Sequence, residues 1–157
     1  MTAKVMVAVR VAVDPATAFR VFTDDIGAWW IGGPRYGFQP SRRGVMRFEP
    51  GVGGRLVETY EDGEVYEVGR VLVWEPGQRL VFQWRGTNFA DDQVTEVEVR
   101  FRARDGGTRV TVEHRGWEVL PPDHPARHGL DHGPFLRLMG QSWTELLEAA
   151  KARAERS

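Results

Sequence analysis

Few side chains in this sequence could hold or move a proton in an apolar setting. His114, in "TRVTVEHRGW", alternates with Val110 and Val112 and so faces the dry side of a strand. Two readings of it stay open. It is a hydrogen-bonded core histidine, or it faces a cavity as a polar anchor or general acid/base whose pKa is lowered by burial. Glu58 and Tyr60 fall in phase with Leu56 and point to an inner face as well. A buried carboxyl group needs a partner, and a Glu58–Tyr60–His114 grouping would form a polar end to an apolar pocket.

"TDDIGAWW" places Trp29 and Trp30 side by side after a short helical segment. Each indole can bury about 150–250 Å², worth about 4–6 kcal/mol before entropy is subtracted. Neighbouring helical residues diverge by about 100°, so the pair cannot serve one surface equally. Either both plug one end of a core, or one lines a cavity mouth and stacks on an entering ligand.

His124, His128 and His132 recur every four residues, a spacing that on a helix would align three imidazoles for zinc or nickel. Pro121, Pro122, Pro125, Gly129 and Gly133 argue against a helix there, so the stretch reads as an exposed flexible loop and no metal is predicted. The sequence lacks cysteine, which excludes disulfides and thiolate chemistry. Ser41, Ser142 and Ser157 stand in no nucleophile elbow, and "GVGGR" lacks the lysine of a phosphate loop. Neither a cofactor nor a catalytic residue is assigned.

The 157 residues fit one domain, 1–157, carrying a formal charge of −1. That balance predicts no nucleic-acid partner. No apolar run approaches the ~20 residues that span a bilayer, so no membrane partner is predicted either. "MTAKVMVAVRVAV" is cut by Arg10 and does not read as a secretion signal; the expected location is the cytoplasm.

Val5 to Val13 alternate as a first strand, and Asp14-Pro15 then opens a short helix through Phe22. Thr23 is placed as the cap of a second short helix holding Ile26, Trp29 and Trp30. From about Gly44, six strands follow, broken by "GVGG", "DG", "EPGQ" and "DGG", which suit tight hairpins. Val97, Val99 and Phe101 face inward, against Glu96, Glu98, Arg100 and Arg102 outward; the outer face reads as one of opposed charges. Phase between Gly69 and Trp74 is ambiguous. A long helix from about Phe135 to Arg156 carries Phe135, Met139, Trp143, Leu146, Leu147 and Ala150 on one stripe. That stripe needs the dry sheet face, which predicts an α+β fold: a curved seven-stranded antiparallel sheet wrapped around the C-terminal helix, with two short helices after the first strand.

This order of elements, with "VDPATAFRVFTDDIGAWW", "FEPGVGGRLVE", "GRVLVWEPGQRLVFQW", "GGTRVTVEHRGW" and "GQSWTELLEAAK", resembles the START-like superfamily, the helix-grip fold shared with the birch-pollen allergen. Within it the sequence is most similar to the heat-shock protein 90 ATPase activator homologues in their stand-alone bacterial form. The resemblance implies an apolar or lipid-like small ligand held between sheet and long helix. The wall expected there is Trp29, Trp30, Phe48, Leu56, Glu58, Tyr60, Phe82, Trp84, Phe101, Val112, His114, Met139 and Trp143. Two alternatives accompany it: a cyclase or aromatase acting on polyketide-like substrates through His114, Glu58 or Tyr60, and a chaperone-associated or other protein-interaction module. A homodimer is compatible with each.

Overall fold

The computed structural model describes residues 4–30, 38, 42, 44–121, 123–127 and 129–156. Strand β1 (Lys4–Val11) leads into helices α1 (Pro15–Asp24) and α2 (Ile26–Trp29). Six strands follow: β2 (Gly44–Phe48), β3 (Arg55–Tyr60), β4 (Val65–Glu75), β5 (Arg79–Trp84), β6 (Thr95–Arg104) and β7 (Gly107–Arg115). Short 3₁₀ turns at Trp117–Val119 and Pro125–Arg127 precede helix α3 (His132–Arg156).

The sheet order is β1-β7-β6-β5-β4-β3-β2, every neighbour antiparallel. β2 through β7 form a run of hairpins, whereas β1 joins the far edge beside β7. The chain therefore crosses from one sheet edge to the other through α1 and α2. Helix α3 packs on β1, α1 and α2, while α2 also packs on β2. Both edge strands thus meet the same helical layer, which requires the sheet to curl around it. This is the expected helix-grip architecture.

Local chemistry accounts for the elements. Asp14 caps α1, its Oδ1 accepting from the Thr17 N–H at 3.3 Å, with Pro15 in the first turn. Thr23 does not cap α2; it lies inside α1, its hydroxyl donating to the Phe19 carbonyl at 2.9 Å, and Asp25 precedes α2 instead. The β6–β7 hairpin turns on Asp105 (φ 50°) and Gly106 (φ 79°), the left-handed pair that a tight two-residue turn demands. The ambiguous phase in β4 has a physical cause. A register shift between Val71 and Val73 inserts an extra residue, so that Val71, paired with Phe82, and Trp74, paired with Leu80, both reach the inner side.

Helix α3 also closes the open edge of β1. Lys151 Nζ donates to the Arg10 carbonyl at 2.7 Å, and the Ala12 N–H donates to Glu155 Oε2 at 2.9 Å. An edge strand left bare would invite pairing with another chain.

Candidate functional site

Two of the sequence-predicted polar sites, Glu58 with Tyr60 and His114, lie on the inner face of the sheet at separate places. In the first, Glu58 on β3 is wholly buried, in phase with Leu56 and Tyr60 as expected. Its Oε1 accepts from the Tyr60 hydroxyl at 2.5 Å and from the Phe38 N–H at 3.1 Å. Among the described residues, its Oε2 has no hydrogen-bond partner. Gly44, opposite Tyr60 on β2, leaves the room this carboxyl group fills: a Cβ there would sit inside the Glu58 side chain. Burial, reinforced by the bond to Glu58, raises the Tyr60 phenol well above its ordinary range. The guanidinium of Arg42 lies 4.2 Å from the Tyr60 ring centroid and pairs with Asp62 at 2.6 Å.

The second place is His114 on β7. The indole N–H of Trp143 donates to its Nδ1 at 3.0 Å, and its Nε2 lies 2.8 Å from Thr95 Oγ1. Indole N–H is a donor only, so Nδ1 is the acceptor and Nε2 carries the proton. Thr95 Oγ1 accepts that proton and donates its own to the Trp84 carbonyl at 2.7 Å. Burial lowers the imidazole pKa to about 3. Both ring nitrogens are engaged within the protein, which makes His114 a core histidine. It makes no hydrogen bond with Glu58 or Tyr60, so the expected three-residue polar end is instead a Glu58–Tyr60 pair and a Thr95–His114–Trp143 chain.

Aromatic rings separate the two. Phe38 stacks on Tyr66 and tilts against Trp84, both at 5.4 Å between centroids, and Trp84 meets His114 edge-on at 5.2 Å. Tyr66 donates to the Arg85 carbonyl at 2.7 Å, and burial pushes its pKa up to about 12. Among the described residues, the buried Trp84 indole N–H has no acceptor.

Of the remaining wall residues, all but the half-buried Trp84 and Met139 are buried. Trp29, Trp30, Phe48, Leu56, Phe82, Phe101, Val112 and Trp143 form one apolar cluster, with Trp84 packed against it. Met139 stands apart, against a second cluster of Phe89, Trp117, Leu120 and Phe135. Neither paired tryptophan leans outward. Trp29 is held by its N–H to the Val21 carbonyl at 3.0 Å, and Trp30 meets Trp143 edge-on at 5.7 Å. A hollow of about 10 Å³ lies between α1, α3 and the sheet, bounded by Val9, Phe22, Phe101 and Leu147 among others. It has room for about one water, and Glu58, Tyr60 and His114 do not line it.

The three-histidine stretch is exposed in part, at Pro121, Asp123, Pro125, Gly129 and Asp131, but it is anchored by two buried side chains. His124 is buried, with Nε2 at 3.1 Å from Gln93 Oε1 and Nδ1 accepting from the Ala126 N–H. Arg127 is buried too, donating to the carbonyls of Trp117 and Leu120. His128 lies outside the described residues, and residue 132 opens α3. Among the described residues, no cluster of histidine and acidic side chains could hold a metal, and no helix is long and apolar enough to cross a membrane.

Sequence reasoning missed Thr95, Phe38 and Trp117. Thr95 was within reach, since it is in phase with Val97 and Val99. Trp117 opens a 3₁₀ turn, and neither it nor Phe38 belongs to a strand or long helix whose periodicity would mark it.

A family model described as Activator of Hsp90 ATPase homolog 1-like protein matches residues 12–153. The chain belongs to that family. Solved structures of similar shape include protein MLL2253 from Mesorhizobium loti, 20% identical over 98% of each chain with a TM-score of 0.67. Another is the Aha1 dimer from Colwellia psychrerythraea, 16% identical over 97% of this chain and 96% of that one, TM-score 0.63. The anthrahydroquino-Gama-pyrone synthase Txn09, solved as a complex, is 35% identical over 71% of this chain and 75% of that one, TM-score 0.50. No curated protein matches the sequence.

Proposed function

We propose that this chain binds a small, largely apolar ligand, lipid-like or aromatic, between the inner sheet face and α3, and releases it unchanged. The observation that carries this reading is Glu58. A buried polar atom without a partner costs about 1–3 kcal/mol, and such atoms in a native fold call for an explanation. A ligand hydroxyl or N–H that donates to Glu58 Oε2 supplies one. Trp84, with its orphaned donor, offers the same ligand an acceptor's partner, and the rings of Phe38, Tyr66 and Trp84 suit a flat apolar body. The hollow of about 10 Å³ is not this site; the ligand lies at the Glu58 end, against Phe38, Tyr66 and Trp84.

Native mass spectrometry of the protein purified without denaturant tests the reading, together with titration of a hydroxylated polycyclic aromatic and of a fatty acid, followed by tryptophan fluorescence. The expected result is a bound small molecule, or saturable quenching by one class, that is lost in Glu58→Gln. No bound mass and no saturable response to either class overturns it.

An enzymatic reading is favoured by one observation and one likeness: the short Tyr60–Glu58 hydrogen bond, and the 35% identical relative named as a synthase. In it Glu58 takes a proton from the bound compound and Tyr60 holds the carboxyl in place. Consumption of a polyketide-like substrate, lost in Glu58→Gln, separates it from simple binding. His114 has no free nitrogen for either role.

A further inference from the structure

The outer face of the sheet is divided by charge. Toward one end, each arginine has a carboxylate. Arg79 and Arg100 reach Glu98 at 2.7 and 2.9 Å, and Arg115 reaches Glu98, Glu113 and Glu96 at 2.7, 2.8 and 3.1 Å. Toward the β6–β7 turn the pattern fails. Arg10 stands opposite Arg109, and Arg109 opposite Arg102, so three arginines form one row across β1, β7 and β6. Arg104 follows two residues beyond Arg102 on the same side. All four are exposed.

Side chains directly opposite on neighbouring antiparallel strands have Cβ atoms about 4.5–5.5 Å apart, and like charges there repel. Relief is scant. Arg10 donates to the backbone carbonyl of Asp105, and Glu155, which feels Arg10, is already bonded to Lys151. Among the described residues, no ion pair engages Arg102, Arg104 or Arg109. Four guanidinium groups, with Asp105 in the turn and Glu155 shared with Lys151, leave a positive end on a chain whose formal charge is −1.

From this row we infer a docking surface for an anionic lipid bilayer. The row is exposed, so one small anion would be held in water, where its attraction to arginine is weak. An extended sheet of phosphates engages all four arginines together. Met6, 53% exposed, and Ala8 lie along the same face of β1 and give the headgroup region an apolar contact. Nucleic acid is a poorer fit, because this face offers neither a helix for a groove nor aromatic rings for stacked bases. Docking of this kind needs no membrane span, and it departs from the expectation of no membrane partner, which rested on the lack of a spanning apolar run. It does not depend on the ligand reading above.

The test is co-sedimentation of the full chain with vesicles of phosphatidylcholine alone and of phosphatidylcholine containing phosphatidylglycerol. The double variant Arg102→Gln/Arg109→Gln is compared with Arg20→Gln, an exposed arginine on α1, after thermal melts confirm that both fold. The expected result is binding to the acidic vesicles only, weakened roughly 10- to 30-fold in the double variant at about one charge's worth of attraction per arginine. Arg20→Gln should bind as the parent does, and about 0.5 M salt should abolish binding. The inference is overturned by absence of binding to acidic vesicles at low salt. It is equally overturned by equal loss in the two variants, or by a single-stranded RNA that binds more tightly than the vesicles.

Discussion

The indole N–H of Trp143 donates to His114 Nδ1 at 3.0 Å, tying the middle of α3 to β7 and fixing which ring nitrogen bears the proton. Protonating Nδ1 would break that bond inside an apolar surround. The folded imidazole therefore titrates near 3 against an ordinary value of 6.5. Between those values the unfolded chain binds the extra proton and the native one does not, so stability is full above pH 6.5 and falls as pH drops toward 3. The carboxylates that the fold holds at about 2, Glu98 and Glu49, act only below 4.5. The slope between pH 6.5 and 4.5, about 1.4 kcal/mol per pH unit at most, is therefore assigned to His114. Urea unfolding at three pH values across that window checks it in the parent and in His114→Phe, where the slope should vanish. A flat parent profile would show the assignment to be wrong.

Glu58→Gln separates fold from ligand. The amide oxygen can still accept from Tyr60 and the Phe38 N–H, so unfolding free energy should change by no more than about 1–2 kcal/mol. The amide nitrogen, however, puts a donor where Oε2 awaited one. Retention of a native small-molecule complex, read by mass, should drop at least tenfold. Equal retention in parent and variant would remove Glu58 from the site.

What could be read from the chain and what could not divides by range. Glu58 and Tyr60 sit two apart on one strand, so their shared face follows from alternation. The partners of His114 lie 19 and 29 residues away, on β6 and α3, and no local pattern names them. The bulge in β4 defeats alternation because one extra residue reverses the phase midway. Around His124, proline and glycine exclude a regular helix, and the sequence alone predicts exposure. Irregular backbone can still be buried, and Arg127 and His124 are pinned there by carbonyl and amide partners. The arginine row needs strand register, which the hydrophobic pattern constrains only as to face.

Gly44→Ala tests how tightly β2 holds Glu58. A methyl group there occupies the space of the Glu58 side chain and crowds the Tyr60 ring, so the carboxyl must leave its bond to Tyr60 or the strands must part. Overpacking of this kind costs about 1–3 kcal/mol. Part of the elevation of the Tyr60 phenol comes from that bond, so its ionisation, followed by ultraviolet absorbance on raising the pH, should move down toward the ordinary tyrosine value. A variant that keeps the parent titration and stability would mean that Glu58 is held by something other than the room at Gly44.

Glu98 presents the opposite case, a carboxylate buried on the outer face. Burial works against its charge, but hydrogen bonds from Arg115 and Arg79, with the charge of Arg100, outweigh that and hold its pKa at about 2. In Glu98→Gln the three guanidinium groups keep their positions and lose the anion between them. Removing one member of a buried pair costs about 3–5 kcal/mol; here the arginines are 27–42% exposed and water offsets part of the loss, so about 2–3 kcal/mol is expected. Because the damage is repulsion among cations, added salt should restore part of it in the variant while changing the parent little. Denaturant midpoints of both proteins at low and high sodium chloride measure this. Equal salt responses would assign the role of Glu98 to packing and hydrogen bonding, not to charge.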